Sequence, residues 1–216
     1  MDPMPRLTAA AGSTLAAVTR AVAAARTSAK PLHPRGHLVH ATLRRTGGGS
    51  SSRPTGVAWL DEPGVDEVLV RRSRAVGWPS LLPDVHGLAM RVELGSGHGD
   101  LLFATTGLGP VSRFLLVPGR DAARPMTTLL PYRAPSGALV LAIRPCTDVR
   151  YELAHASAAG VWHRFAELEL STTSGPDPLV SFDPVRHQLP DLAPYPWVER
   201  LREPAYLTAR RTRSGR

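Results

Sequence analysis

Gly87-Leu-Ala-Met-Arg-Val-Glu-Leu94, Gly95-Ser-Gly-His-Gly99 and Asp100-Leu-Leu-Phe-Ala-Thr-Thr106 follow one another without a break. The first run alternates apolar side chains with others. The last is mostly apolar, and a glycine-rich turn lies between them. A period of two on either side of such a turn is the signature of an antiparallel hairpin. The pattern recurs along the chain. Glu67–Arg71, Gly137–Arg144, Arg150–Ala156 and Val161–Leu170 are strand-like, and so are the shorter runs Gly56–Leu60 and Arg113–Val117. After Lys30–Leu43, which reads as the entry to a first strand, these runs make about eight strands at hairpin spacing, which predicts an antiparallel barrel or sandwich. Ala122–Leu130 predicts a short helix limited by Pro125. Pro176, Pro178, Pro184, Pro190, Pro194 and Pro196 predict an extended crossing after Ser171. Trp197–Arg213 predicts one or two helices, with Pro204 in the first turn of the second.

Composition narrows the choice. A chain of 216 residues suits one domain that buries roughly 70% of its unfolded surface. The 21 prolines and 19 glycines favour short strands over a helical bundle. Cys146 is the single cysteine, which excludes an internal disulfide framework and a cysteine zinc cage and fits a cytoplasmic protein. The net charge of +8 comes almost wholly from arginine. It reflects an Arg-rich composition, and nucleic acid is not the expected partner. No apolar run approaches the ~18 residues of a membrane span. Leu7–Ala29 is Ala-rich and interrupted by Arg20 and Arg26, so it reads as an amphipathic arm rather than a secretory signal. The expected organisation is an arm over 1–29, a barrel over 30–170 and a proline-rich crossing with C-terminal helix over 171–216.

Two places carry candidate chemistry. Lys30–Leu43 holds His33, His37 and His40, and imidazoles suit zinc or iron. Asp84, His86 and Asp100 offer a further set for a metal-dependent, phosphodiesterase-like hydrolase. At the far end, Tyr206 has Arg202 one helical turn before it and Arg213 seven residues after. A neighbouring guanidinium favours the phenolate, which can serve as an axial haem ligand.

These residues resemble the haem catalase superfamily. Lys30-Pro-Leu-His33-Pro-Arg-Gly36 is similar to the catalase segment that holds the distal histidine. Arg71-Arg-Ser73 resembles the segment whose serine hydrogen-bonds that histidine and whose arginine binds a propionate. Leu82–Arg91 and Asp100–Thr106 resemble two further catalase stretches. Arg202–Arg213 resembles the proximal tyrosine helix, with both arginine offsets kept. The resemblance implies a mainly β, α+β fold: an eight-stranded antiparallel catalase-like barrel with C-terminal helices. It also implies haem b ligated through iron by Tyr206, with Arg202, Arg213, Arg71 and Lys30 around it and Phe114 against the porphyrin edge. His33 oriented by Ser73 would be the acid/base on hydrogen peroxide or an organic hydroperoxide. Thr105 or Thr106 stands where catalases have the distal asparagine, and Lys30 stands for an arginine. Peroxidase or hydroperoxide-converting activity is thus implied as readily as weak catalase activity, and a homodimer is expected. A degenerate, haem-free barrel acting as a binding module is the other outcome of such a resemblance.

Overall fold

The computed structural model describes residues 37–48, 53–74, 83–95, 97–120, 123–174 and 180–198. Ten strands are present among them: β1 (His37–Thr46), β2 (Pro63–Arg74), β3 (His86–Leu94), β4 (Gly97–Thr105), β5 (Met126–Thr127), β6 (Tyr132–Ala134), β7 (Gly137–Pro145), β8 (Arg150–Ser157), β9 (His163–Ser174) and β10 (Ala193–Pro194). Eight of them run in the order β7-β5-β4-β3-β2-β1-β9-β8, and a β7–β8 pairing closes the ring. Every pairing is antiparallel. The expected eight-stranded antiparallel barrel is therefore present. Closure satisfies the backbone groups that an open sheet edge would expose.

Alternation decides what faces the inside. Val68 and Val70 of β2, Leu88, Met90 and Val92 of β3, and Leu101 and Phe103 of β4 are buried together with Leu141, Ile143, Leu153, Phe165 and Leu168. Burying aliphatic and aromatic side chains is worth about 1.5–3 kcal/mol each, so this interior supplies the main stability of the barrel.

Three sequence expectations are corrected. Gly56–Leu60 is not a strand, because α1 (Ala58–Asp61) forms there as one helical turn. Asp61 reaches back and accepts from the Thr55 and Gly56 amides at 3.0 and 2.8 Å, satisfying donors that the turn leaves open. Trp59 and Leu60 then plug one end of the barrel. The Trp59 ring meets Phe165 edge-on at 5.4 Å, and its indole N–H donates to Asp66 at 3.0 Å. Arg45 also donates to Asp66 and to the carbonyls of Trp59 and Glu62. Arg113–Val117 likewise is not a strand. A 3-10 turn, Ser112–Phe114, leads to a single bridge between Leu116 and Thr106. The buried Arg113 guanidinium explains it: it donates to the carbonyls of Leu108, Gly109, Ser157 and Gly160 and lies 4.5 Å over the Trp162 ring. Finally, the segment expected to be a helix around Pro125 contains β5, which bridges β4 and β7.

β5 is short because the backbone kinks immediately after it. Leu129 has φ 60, a left-handed conformation that costs a non-glycine residue about 1 kcal/mol or more. It is held by its amide donating to Thr127 Oγ1 at 3.2 Å and by burial. β6 resumes pairing with β7 three residues further on, at the other half of that strand. β5 covers only Ala104 and Thr105 of β4. The returning chain, residues 187–194, enters the seam this leaves. The Asp100 amide donates to the His187 carbonyl at 2.8 Å, and β10 pairs with β6. Leu189 and Leu192 join the barrel core from this segment. A tight turn with Asp191 at φ 58 sits between them, a conformation aspartate tolerates.

Candidate functional site

The outer surface of β2–β4 differs from the interior. Ser73 of β2 lies opposite Gly87 of β3, which lies opposite Ala104 of β4. One rung along, Arg71 lies between Leu38 of β1 and Ala89 of β3, and Ala89 pairs with Leu102. Side chains alternate along each strand, and the core-facing neighbours are Val70, Leu88, Met90, Leu101 and Phe103. Arg71, Ser73, Gly87, Ala89, Leu102 and Ala104 therefore share the outer face. It carries one hydroxyl and one guanidinium on an otherwise apolar surface in which Gly87, Ala89 and Ala104 are small. Gly87 is small for a local reason: a Cβ there would come within 3.0 Å of Ser73 Oγ. Among the described residues none hydrogen-bonds the Ser73 hydroxyl.

The β4 end of this face is overlaid by a second apolar cluster. Ala104 packs with Leu129, Leu130 and Val198, joined by Val85, Leu116, Tyr195 and Trp197. The segment Tyr195–Val198 turns helical from Pro196, with the Val198 amide donating to the Tyr195 carbonyl at 2.8 Å. Proline suits the first turn of a helix because its missing N–H is not needed there. The chain leading to Tyr206 thus reaches the β4 end of the same outer face.

The two threonines have separate surroundings. Thr105 is wholly buried on the inward side, and its hydroxyl oxygen accepts from the His86 amide at 3.2 Å. The Thr106 hydroxyl pairs with Thr127 Oγ1 at 3.2 Å, and Thr127 donates in turn to the Arg113 carbonyl at 2.6 Å. Phe114, half-buried, ends the 3-10 turn beside β5. Lys30, His33, Arg202, Tyr206 and Arg213 lie outside the described residues.

The hydrolase set is not brought together. Asp84 and His86 sit at the start of β3, where Arg74 Nε approaches the Asp84 carboxylate at 3.8 Å. Asp100 is paired with Arg91, five residues further along β3 than His86. At ~3.3 Å per residue that separates them by roughly 16 Å. His40 is exposed on the outside of β1. His86 itself is buried, with Nε2 lacking a hydrogen-bond partner among the described residues.

Gly87, Ala89 and Ala104 were not among the residues singled out in the sequence. Their signal is local alternation in the opening stretch: Gly87 and Ala89 flank Leu88 on β3, and Ala104 follows Phe103 on β4.

Against known proteins, the fold is catalase-like. A fungal catalase solved at 1.9 Å superposes with a TM-score of 0.53 at 12% identity, covering 77% of this chain and 56% of its own. A bacterial catalase gives a TM-score of 0.50 at 12% identity, covering 80% of this chain and 57% of its own. The chain thus spans little more than half the length of either. No family model matches the sequence, and no curated protein matches it. Among the described residues no helix is long and apolar enough to cross a membrane.

Proposed function

We propose that the chain is a haem-dependent, peroxide-handling enzyme whose outer β2–β4 face forms the distal wall of a haem cleft. The observation that carries this reading is the juxtaposition of Arg71 and Ser73 with Gly87 and Ala89 on one outer face of a catalase-like barrel. A flat macrocycle needs a flat wall. The small residues provide one, and the cradle at Gly87 is a place that a Cβ would fill. The residues present therefore fit the group.

Haem, when bound, supplies the iron and the redox chemistry. Tyr206, kept as phenolate by Arg202, would hold the group through its iron. Arg71, Arg213 and Lys30 would balance the propionates, and Phe114 would flank the porphyrin edge. His33 would take the proton from one peroxide oxygen and return it to the other. Ser73, whose hydroxyl has no other partner among the described residues, would orient that ring. The Thr106 hydroxyl is committed to Thr127, and Ala104 faces outward beside Gly87. This strand end thus lacks a strong peroxide-orienting donor, which favours peroxidase or hydroperoxide conversion over dismutation. The setting we propose is a cytoplasmic homodimer acting on hydrogen peroxide or an organic hydroperoxide.

The test is absorbance. Full-length protein supplied with haem should give a Soret band that Tyr206→Phe abolishes or shifts strongly. His33→Ala should leave the band in place and remove the reaction with peroxide. Protein that takes up no haem under any supply would instead be a haem-free binding module.

A further inference from the structure

We propose that His98, His187 and Asp100 form a second, non-haem site that binds one zinc-class divalent ion and clips the returning chain to the barrel. The nitrogen and oxygen donors of these three residues lie within 4.8 Å of one another. The rings of His98 and His187 are 4.1 Å apart, tilted by 37°. A tetrahedral ion held at 2.0–2.2 Å needs donors roughly 3.3–3.6 Å apart. Small side-chain rotations of the two half-buried imidazoles would cover that difference. Two nitrogens and a carboxylate oxygen, with water completing the shell, is a donor set that suits zinc and its neighbours rather than magnesium or calcium.

Two further observations point to a ligand. His98 Nε2 is buried with no hydrogen-bond partner among the described residues. A buried polar atom without a partner is costly, and a metal would satisfy it. Asp100 has room for one more bond. Its Oδ1 accepts from Arg91 Nε at 2.8 Å, while Oδ2 accepts from Arg91 Nη2 at 2.9 Å and from the Asp183 amide at 2.7 Å. A carboxylate has about four acceptor positions, so Oδ1 retains one for monodentate ligation. Arg91 then plays the part of the outer hydrogen-bond donor that fixes a ligating carboxylate.

The location gives the ion a role. His98 lies on β4, and His187 lies on the segment that enters the seam β5 leaves open. An ion between them would tie residue 187 to the barrel at the point where the ring of strands is thinnest.

The experiment is zinc titration of the full-length, tag-free chain by calorimetry, with Co²⁺ substitution to read coordination from its visible absorption. The expected result is one ion per chain, weakened at least ~10-fold by either His98→Asn or His187→Asn. Replacing His33, His37 and His40 together should leave it unchanged. Zinc at about 100 times its dissociation constant should raise Tm by on the order of 5–10 °C, and His187→Asn should erase that rise. His187 is half-buried on the returning segment, so this variant carries the test if His98→Asn does not fold. Zinc binding that survives both single variants, or no zinc binding at all, would overturn the proposal.

Discussion

The two faces of the β2–β4 patch are built from the same residues in alternation, yet they do opposite things. Inward, Val70, Leu88, Met90, Leu101 and Phe103 fill the barrel. Outward, Ser73, Gly87, Ala89 and Ala104 keep side chains short. The strand backbone is common to both, so the difference lies in the side chains. Large inward residues are what a closed barrel needs for stability. Of the small outward residues, Ala104 lies under the second apolar cluster, whereas Ser73, Gly87 and Ala89 are half-buried and make sense as room for a flat partner. On this reading, damage to the inner face should unfold the protein, whereas damage to the outer face should spare the fold and impair the chemistry.

The largest expected effect is on the inside. Phe103→Ala should destabilise by about 3–5 kcal/mol, through lost transfer energy and the cavity left behind; urea unfolding measures it. A loss below ~1 kcal/mol would mean that the inner face is not the stabilising one. Next comes the plug. Asp66→Ala removes the shared acceptor of Arg45 and Trp59, whose side chains form a mostly buried cluster with it. Breaking one partner of such a pair should cost about 3 kcal/mol, read from the same transition. On the outer face, Ser73→Ala should change stability by less than ~0.5 kcal/mol. It should slow the peroxide reaction of haem-loaded protein ~10-fold or more, with the Soret band unmoved. Equal rates for the two proteins would detach Ser73 from the chemistry.

The smallest effect is in pH. His155 is buried against His163, and burial, with that neighbour's charge, lowers its pKa. The unfolded chain therefore binds a proton near pH ~6.5 that the folded chain refuses. This contribution is fully present above ~6.5 and is lost as pH falls from there through the lower folded value. His155→Phe should flatten that part of the stability profile; an unchanged slope would show that other groups set it.

Much of the barrel was legible from period-two alternation and glycine or proline punctuation, because those are local properties. The errors arose where distant residues decide. Gly56–Leu60 has strand-like composition, but the Asp61 carboxylate curls it into a turn. Arg113–Val117 is apolar enough for a strand, but the Arg113 guanidinium gathers four carbonyls from two loops. β5 has two residues and no periodic signal; its partners on β4 and β7 define it. The catalase-like segments gave Arg71 and Ser73, which the fold sets on one outer face. The His98 and His187 pair had no signature, because the two residues are far apart in sequence and meet only when the chain returns.

That return has a consequence in time as well as in space. The β4 edge near Asp100 is complete only when His187 arrives, 87 residues later in the sequence. At synthesis rates of ~5–20 residues per second, the interval is about 4–17 s. Throughout it, part of a strand edge stays open to pairing with other nascent chains. Ribosomal pausing within that interval, or truncation before residue 187, should thus bias the protein toward aggregation even though most of the barrel strands have already been made.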